Sequence, residues 1–201
     1  MIDMVVLFLI FLMTVTCHEV SHGVVAYARG DETAYLRGRL TLNPLRHIDL
    51  FWTILFPLML FFATGGRFAL GMAKPVPVNF YNLKNRRTDT ILVAFAGPFA
   101  NFILAWLLAS WFHATGFAPL LYGVYLNLGL AFFNLIPIPP LDGSRILSAL
   151  LPNPLANVLN RIERFGFLII LILYMTHTLF ALIMPGINFF SDLLGLPKAG
   201  F

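Results

Sequence analysis

The residues of this chain most clearly suited to chemistry by type and spacing are His18-Glu19-Val20-Ser21-His22. Histidines four apart lie one turn above each other on the same helix face, so two imidazole nitrogens can share one tetrahedral zinc. Glu19 projects near that metal, where it can take a proton from a bound water. The flanks are unusual for such a motif. Residues 5–15 are almost wholly hydrocarbon, and residues 23–28 are small and apolar. The helix carrying these polar groups therefore reads as a membrane span.

Composition says what must surround the motif. Of 201 residues, 59% are hydrophobic and 11% charged, whereas soluble domains are about half apolar and about a quarter charged. One soluble core cannot hide that excess, so the bilayer is the expected solvent for much of the chain. The net charge of +4 fits basic cytoplasmic loops and anionic lipid heads, and no nucleic-acid partner is expected. Cys17 is the one cysteine, so an internal disulfide is excluded. With no basic leader and no small-residue cleavage site, the first apolar run is expected to be a retained span. No internal repeat or disordered linker stands out, and residues 1–201 read as one membrane domain.

The expected fold class is an all-α polytopic membrane protein with about four transmembrane helices, a re-entrant segment and a short β-like loop. Residues 2–28, 89–112, 118–136 and 165–184 supply the crossings. Residues 29–49 are polar and basic, and crude alternation over Tyr35 to Leu42 suggests a short strand or hairpin before the Asn43-Pro44 turn. Residues 50–64 are apolar but short, with Pro57 in the middle. At about 1.5 Å per residue, His18 lies roughly 25 Å along the first span. The basic loop that follows puts the N-terminus outside and His18 near the cytoplasm. If 50–64 dips in and returns, the basic stretch 65–87 is also cytoplasmic. Asp142, just past the fourth apolar segment, then arrives at the depth of His18 and His22. A re-entrant course also requires 50–64 to pack on protein rather than lipid.

That depth matters because catalytic zinc takes three protein ligands and keeps one position for water. His18, His22 and Asp142 make such a set, and ionisable residues in hydrocarbon are costly unless they serve a site.

The chain resembles the site-2 protease family of intramembrane zinc metalloproteases, in its compact prokaryotic form without PDZ or CBS modules. The resemblance rests on residues 18–23 (HEVSHG), 38–49 (GRLTLNPLRHID), 71–79 (GMAKPVPVN), 96–101 (AGPFAN) and 134–143 (NLIPIPPLDG). Ser144 stands where a second glycine is common. The resemblance implies one zinc per chain held by His18, His22 and Asp142, with zinc-bound water as nucleophile and Glu19 as general base. It also implies Asn101 and Asn134 near the site, as donors to substrate backbone or oxyanion, although interhelical bonding is an equal reading for both. The implied reaction is hydrolysis of peptide bonds within or near transmembrane segments of membrane proteins, as in regulated intramembrane proteolysis. The partners implied are a transmembrane protein substrate and the lipid bilayer of a prokaryotic cell, with the active site toward the cytoplasm.

A substrate helix must unwind before cleavage, and a strand near 35–42 or the loop from Lys74 to Asn79 would hold the unwound chain by edge pairing. Cys17 points about 100° from His18 and is not expected to be a ligand. His47 is expected to order its loop, His113 to sit at a span end, and His177 to pack within the last span or line a substrate path. Two rival readings are a membrane zinc transporter and a non-catalytic scaffold of the same fold. The first generally carries a longer His-Glu series; the second would have lost Glu19 or a ligand. Substrate, cut site and oligomeric state are not written in these residues.

Overall fold

The computed structural model describes residues 2–63, 65 and 74–197. Among these the chain is helical, with no strand. The long helices are α1 (Ile2–Ala28), α4 (Arg86–Thr115), α5 (Ala118–Asn134) and α9 (Thr178–Leu193). Shorter ones are α2 (Thr33–Leu36), α3 (Phe56–Ala63), α6 (Asp142–Leu150), α7 (Asn153–Ile162) and α8 (Gly166–Met175). By length and apolarity, Val5–Ala28 and Arg86–Thr115 can each cross a membrane. Their outward residues are correspondingly apolar and exposed: Phe8, Leu9, Trp106 and Trp111 among them.

Helix α4 is the central element, packed against α1, α5 and α6. It begins where Asn85 donates its N–H to the buried carboxylate of Asp89 at 2.7 Å. It stops at Gly116, whose φ of 67° suits glycine and ends the helix in the left-handed conformation. Its buried face is mostly small: Ala94, Ala96, Gly97, Ala105 and Ala109. Small residues let helix backbones approach closely in lipid, where hydrocarbon burial gives little net drive. At the far end α4, α5 and α9 enclose a core of Ala105, Val124, Leu128 and Ile187. There Phe102 stacks on Phe190 at 4.8 Å and meets Phe132 edge-on at 5.4 Å.

The structure departs from the sequence expectation in two places. The strand expected over Tyr35 to Leu42 does not form. Asp31 instead accepts bonds from the N–H and hydroxyl of Thr33 and starts the helical turn α2, the side-chain competition that favours turns over strands. The following segment meets the loop at Lys74 through a side chain, with Arg39 donating to the carbonyl of Lys74 at 2.8 Å. The last apolar run is not one straight span. It breaks at Thr176–His177, and the helices on either side are bent by 78°. Thr176 turns its hydroxyl back onto the carbonyl of Ile172, and His177 takes a φ of 58°. Counted as one bent span, this pair makes a third candidate crossing.

Residues 50–64 are the segment expected to dip in and return. Leu50–Leu55 form a π-helical turn that runs into α3, whose Met59 and Phe62 are exposed. Residues 64 and 66–73 lie outside the described residues, but the two flanking ends meet. Lys74 donates its N–H to the carbonyl of His47 at 2.9 Å, so the chain between them starts and finishes at one place.

Candidate metal centre

Two helices bring together the three positions that the sequence singled out. His18 and His22 come from α1, one turn apart, and Asp142 is the first residue of α6. The two Nε2 atoms are 3.2 Å apart, and Asp142 Oδ2 lies 3.3 Å from each. These three atoms form a nearly equilateral triangle. A tetrahedral zinc with ligands at about 2.0–2.1 Å sets its donor atoms about 3.3–3.4 Å apart, so the triangle matches one face of that tetrahedron.

The other side of each imidazole explains why the Nε2 atoms face inward. His22 Nδ1 donates to the carbonyl of Val93 at 2.7 Å, and His18 Nδ1 to Oδ1 of Asn101 at 2.6 Å. Both partners are acceptors, so each Nδ1 carries the proton and each Nε2 presents its lone pair, the arrangement found in metal-ligating histidines. Asp142 Oδ2 is buried and receives no hydrogen bond. Three acceptor atoms pointed at one buried place call for a shared cation, since alone they repel. The centre also depends on an absent side chain. A Cβ on Gly97 would sit 2.4 Å from His22 Nε2 and 2.7 Å from His18 Nε2, so only glycine lets α4 pass this close to the imidazoles.

Glu19 is on the same helix. Its Oε2 accepts the N–H of Val76 at 2.8 Å, which ties the segment Lys74–Asn79 to the motif. Gly23 serves that contact, because a Cβ there would meet Leu40 at 2.5 Å and Val76 at 2.7 Å. The segment is held from the other side by Asp31. Its Oδ2 accepts from Asn79 N–H at 2.7 Å and its Oδ1 from the Asn82 amide at 2.9 Å. Burial disfavours the Asp31 carboxylate, but these bonds and those from Thr33 outweigh it and hold the carboxyl below its ordinary value.

Asn101 is fully buried, and both ends of its amide are engaged. Oδ1 faces His18, and Nδ2 donates to Asn127 Oδ1 at 3.0 Å. Asn127 in turn donates to Thr14 and to the Gly123 carbonyl, each at 2.9 Å. A polar chain therefore runs from the first imidazole through α4 and α5 and back to α1. Asn134 is placed differently, with its Nδ2 on the carbonyl of Leu130 in its own helix at 2.9 Å.

The remaining candidates have ordinary partners. Among the described residues the three-residue cluster holds no cysteine, and the Cys17 carbonyl accepts the Ser21 hydroxyl. His47 Nε2 bonds the Thr41 carbonyl, ordering its loop as expected. His113 bonds the Leu194 carbonyl across to the end of α9. His177 marks the break between α8 and α9 rather than the middle of a span. Sequence reading assigned no role to Val93 or Asn127, and none to Gly97 beyond its place in the motif 96–101. Two of these act through the backbone, and Asn127 acts through another asparagine.

The family model described as Peptidase family M50 matches residues 6–117 and 111–176. The chain is 38% identical over 191 residues to "Putative zinc metalloprotease YwhC" of Bacillus subtilis (strain 168), covering 88% of this chain and 83% of that protein. It is 32% identical over 193 residues to Rip2 of Mycobacterium tuberculosis (strain H37Rv). It is 30% identical over 193 residues to Rip2 of Mycolicibacterium smegmatis. Both Rip2 proteins carry the same description, and each match covers 92% of this chain and 73% of the relative. No solved structure shows a significant match.

Proposed function

The chain belongs to peptidase family M50, and from that premise we propose that it is an intramembrane zinc endopeptidase that cuts transmembrane segments of other membrane proteins. The observation that carries this reading is the triangle of His18, His22 and Asp142 beside Glu19. These three residues would hold the zinc. The chemistry that bound zinc supplies is that of a Lewis acid, polarising the scissile carbonyl and bringing the pKa of a water toward neutrality.

The chain's own groups do the rest. Glu19 takes the proton of the attacking water and passes it to the leaving amine. With Oε2 on the Val76 N–H, Oε1 is the oxygen for that transfer. Asn101 is fully buried, with Oδ1 on His18 and Nδ2 on Asn127, so it acts by holding His18. Asn134 keeps one amide hydrogen and is the candidate donor to the substrate. The topology follows the same logic. The meeting of His47 and Lys74 supports a re-entrant course for the segment between them, which puts both basic loops on the cytoplasmic side. Crossings by α1, α4, α5 and the bent α8–α9 pair then bring the site near the cytoplasmic face. Release of membrane-tethered regulators is the process this chemistry serves.

The test compares wild type with Glu19→Gln in cells by profiling membrane-protein fragments. The variant should keep its zinc and lose at least one processed fragment. Zinc retained with identical fragments in both strains would defeat the protease reading.

A further inference from the structure

Where α4 begins, its first turn and the preceding loop enclose a cavity of about 500 Å³ with α6 and α7. The volume is in the range of small-ligand sites. Neither imidazole nor Glu19 lines it, so it is distinct from the metal centre. Three guanidiniums do, those of Arg86, Arg87 and Arg145, against one carboxylate, that of Glu163. Each guanidinium is held in place. Arg86 lies 4.2 Å over the ring of Tyr81, and Arg145 lies 5.0 Å over that of Phe80 and 3.6 Å from Glu163. Arg87 donates to Asn153 at 3.1 Å. A guanidinium stacked on a ring keeps its in-plane donors for another acceptor. Arg86 and Arg87 also open a helix of 30 residues, whose N-terminal N–H groups add positive potential. Asn157 and Asn160 supply neutral donors on the opposite wall.

We propose that this cavity binds a phosphate group. Oriented guanidiniums that outnumber the single carboxylate three to one, with flanking amides, are the donor set for a phosphate oxyanion. The surroundings favour a phosphate carried on an anionic lipid headgroup. Helix α7 turns Asn153, Asn157 and Asn160 into the cavity, while Leu155, Val158 and Ile162 are exposed on its other side. It leads through the short turn Glu163–Phe165 into the apolar α8. A helix with that division lies in the headgroup layer. Occupancy also reaches the metal centre, because α6 carries Asp142 at its first residue and Arg145 in the cavity wall. A bound phosphate ties α6 to α4 behind the third ligand.

The experiment titrates the full chain in phosphatidylcholine nanodiscs by calorimetry, using short-chain phosphatidylglycerol, short-chain phosphatidylcholine and inorganic phosphate as separate probes. Phosphatidylglycerol should bind to wild type and phosphatidylcholine should not. Arg87→Gln and Arg145→Gln should each weaken binding about tenfold, the loss expected for one charge-assisted contact. Glu163→Gln should tighten it, an opposite shift that misfolding cannot imitate. Binding of inorganic phosphate with the same variant pattern would support the site and make its ligand soluble. Absence of binding to wild type, or equal binding by wild type and all three variants, overturns the proposal.

Discussion

Asn101 Oδ1 sits 2.6 Å from His18 Nδ1, and this contact sets which nitrogen of His18 faces His22 and Asp142. Groups that orient a ligating histidine typically contribute 10–100-fold to metal affinity. Asn101→Leu should therefore lower zinc affinity by about that factor, read by competition with a chromophoric chelator. Asn101→Asp keeps the acceptor and should bind zinc more tightly than the leucine variant. Asn127→Ala leaves His18 its partner but lets Asn101 turn, so an intermediate loss is expected. Equal affinities across the series would remove the positioning role.

Gly97 provides a sharper contrast. Gly97→Ala puts a methyl group 2.4 Å from a ligand nitrogen and should abolish stoichiometric zinc. Gly129→Ala meets nothing within 4 Å and should leave zinc content unchanged. Metal analysis of the two purified variants decides it. A zinc-replete Gly97→Ala protein would mean that α4 does not approach the imidazoles this closely.

Asp31 links stability to pH. Its folded carboxyl titrates below its ordinary value, so its contribution is complete above the unfolded pKa of about 3.9. That contribution is lost as pH falls through the lower folded value. Asp31→Asn should be less stable than wild type at neutral pH, by about 1–3 kcal/mol for disrupting a buried charge-assisted set. The gap should narrow in acid. Parallel unfolding curves at all pH values would contradict this.

His177 holds a φ of 58° without being glycine. A β-branched residue is strained there, and His177→Val should cost about 1–2 kcal/mol. His177→Gly should not be destabilising, because glycine takes this conformation readily. Thermal unfolding of both variants reads the difference. Indifference to valine would mean that α8 and α9 join without this turn.

The cluster of His18, His22 and Asp142, the candidate ligand set, was legible in sequence for a physical reason. Spacing of four fixes His18 and His22 on one face, and span depth brings in Asp142 from a distant segment. Three further parts of the site carry no such signal in spacing, although Gly97 lies in the motif 96–101. Val93 contributes a carbonyl, which every residue has. Gly97 contributes the lack of a Cβ, and glycine is common on helix faces in membranes. Asn127 lies in an ordinary apolar pattern, and its role appears only once α4 and α5 are packed. The break at His177 went unseen because left-handed turns are usually announced by glycine or asparagine. The strand over 35–42 failed because alternation there was weaker than the pull of the Asp31 carboxylate on Thr33.

The bond from Lys74 to the His47 carbonyl makes residues 48–73 a ring closed at its neck. In polymer terms the length of a ring and the position of its neck are nearly independent. Closure entropy grows only slowly with the length of the connection. Residues can therefore be added or removed inside the ring while Val76 stays on Glu19. Growth of the chain can be accommodated in this ring without moving the catalytic frame.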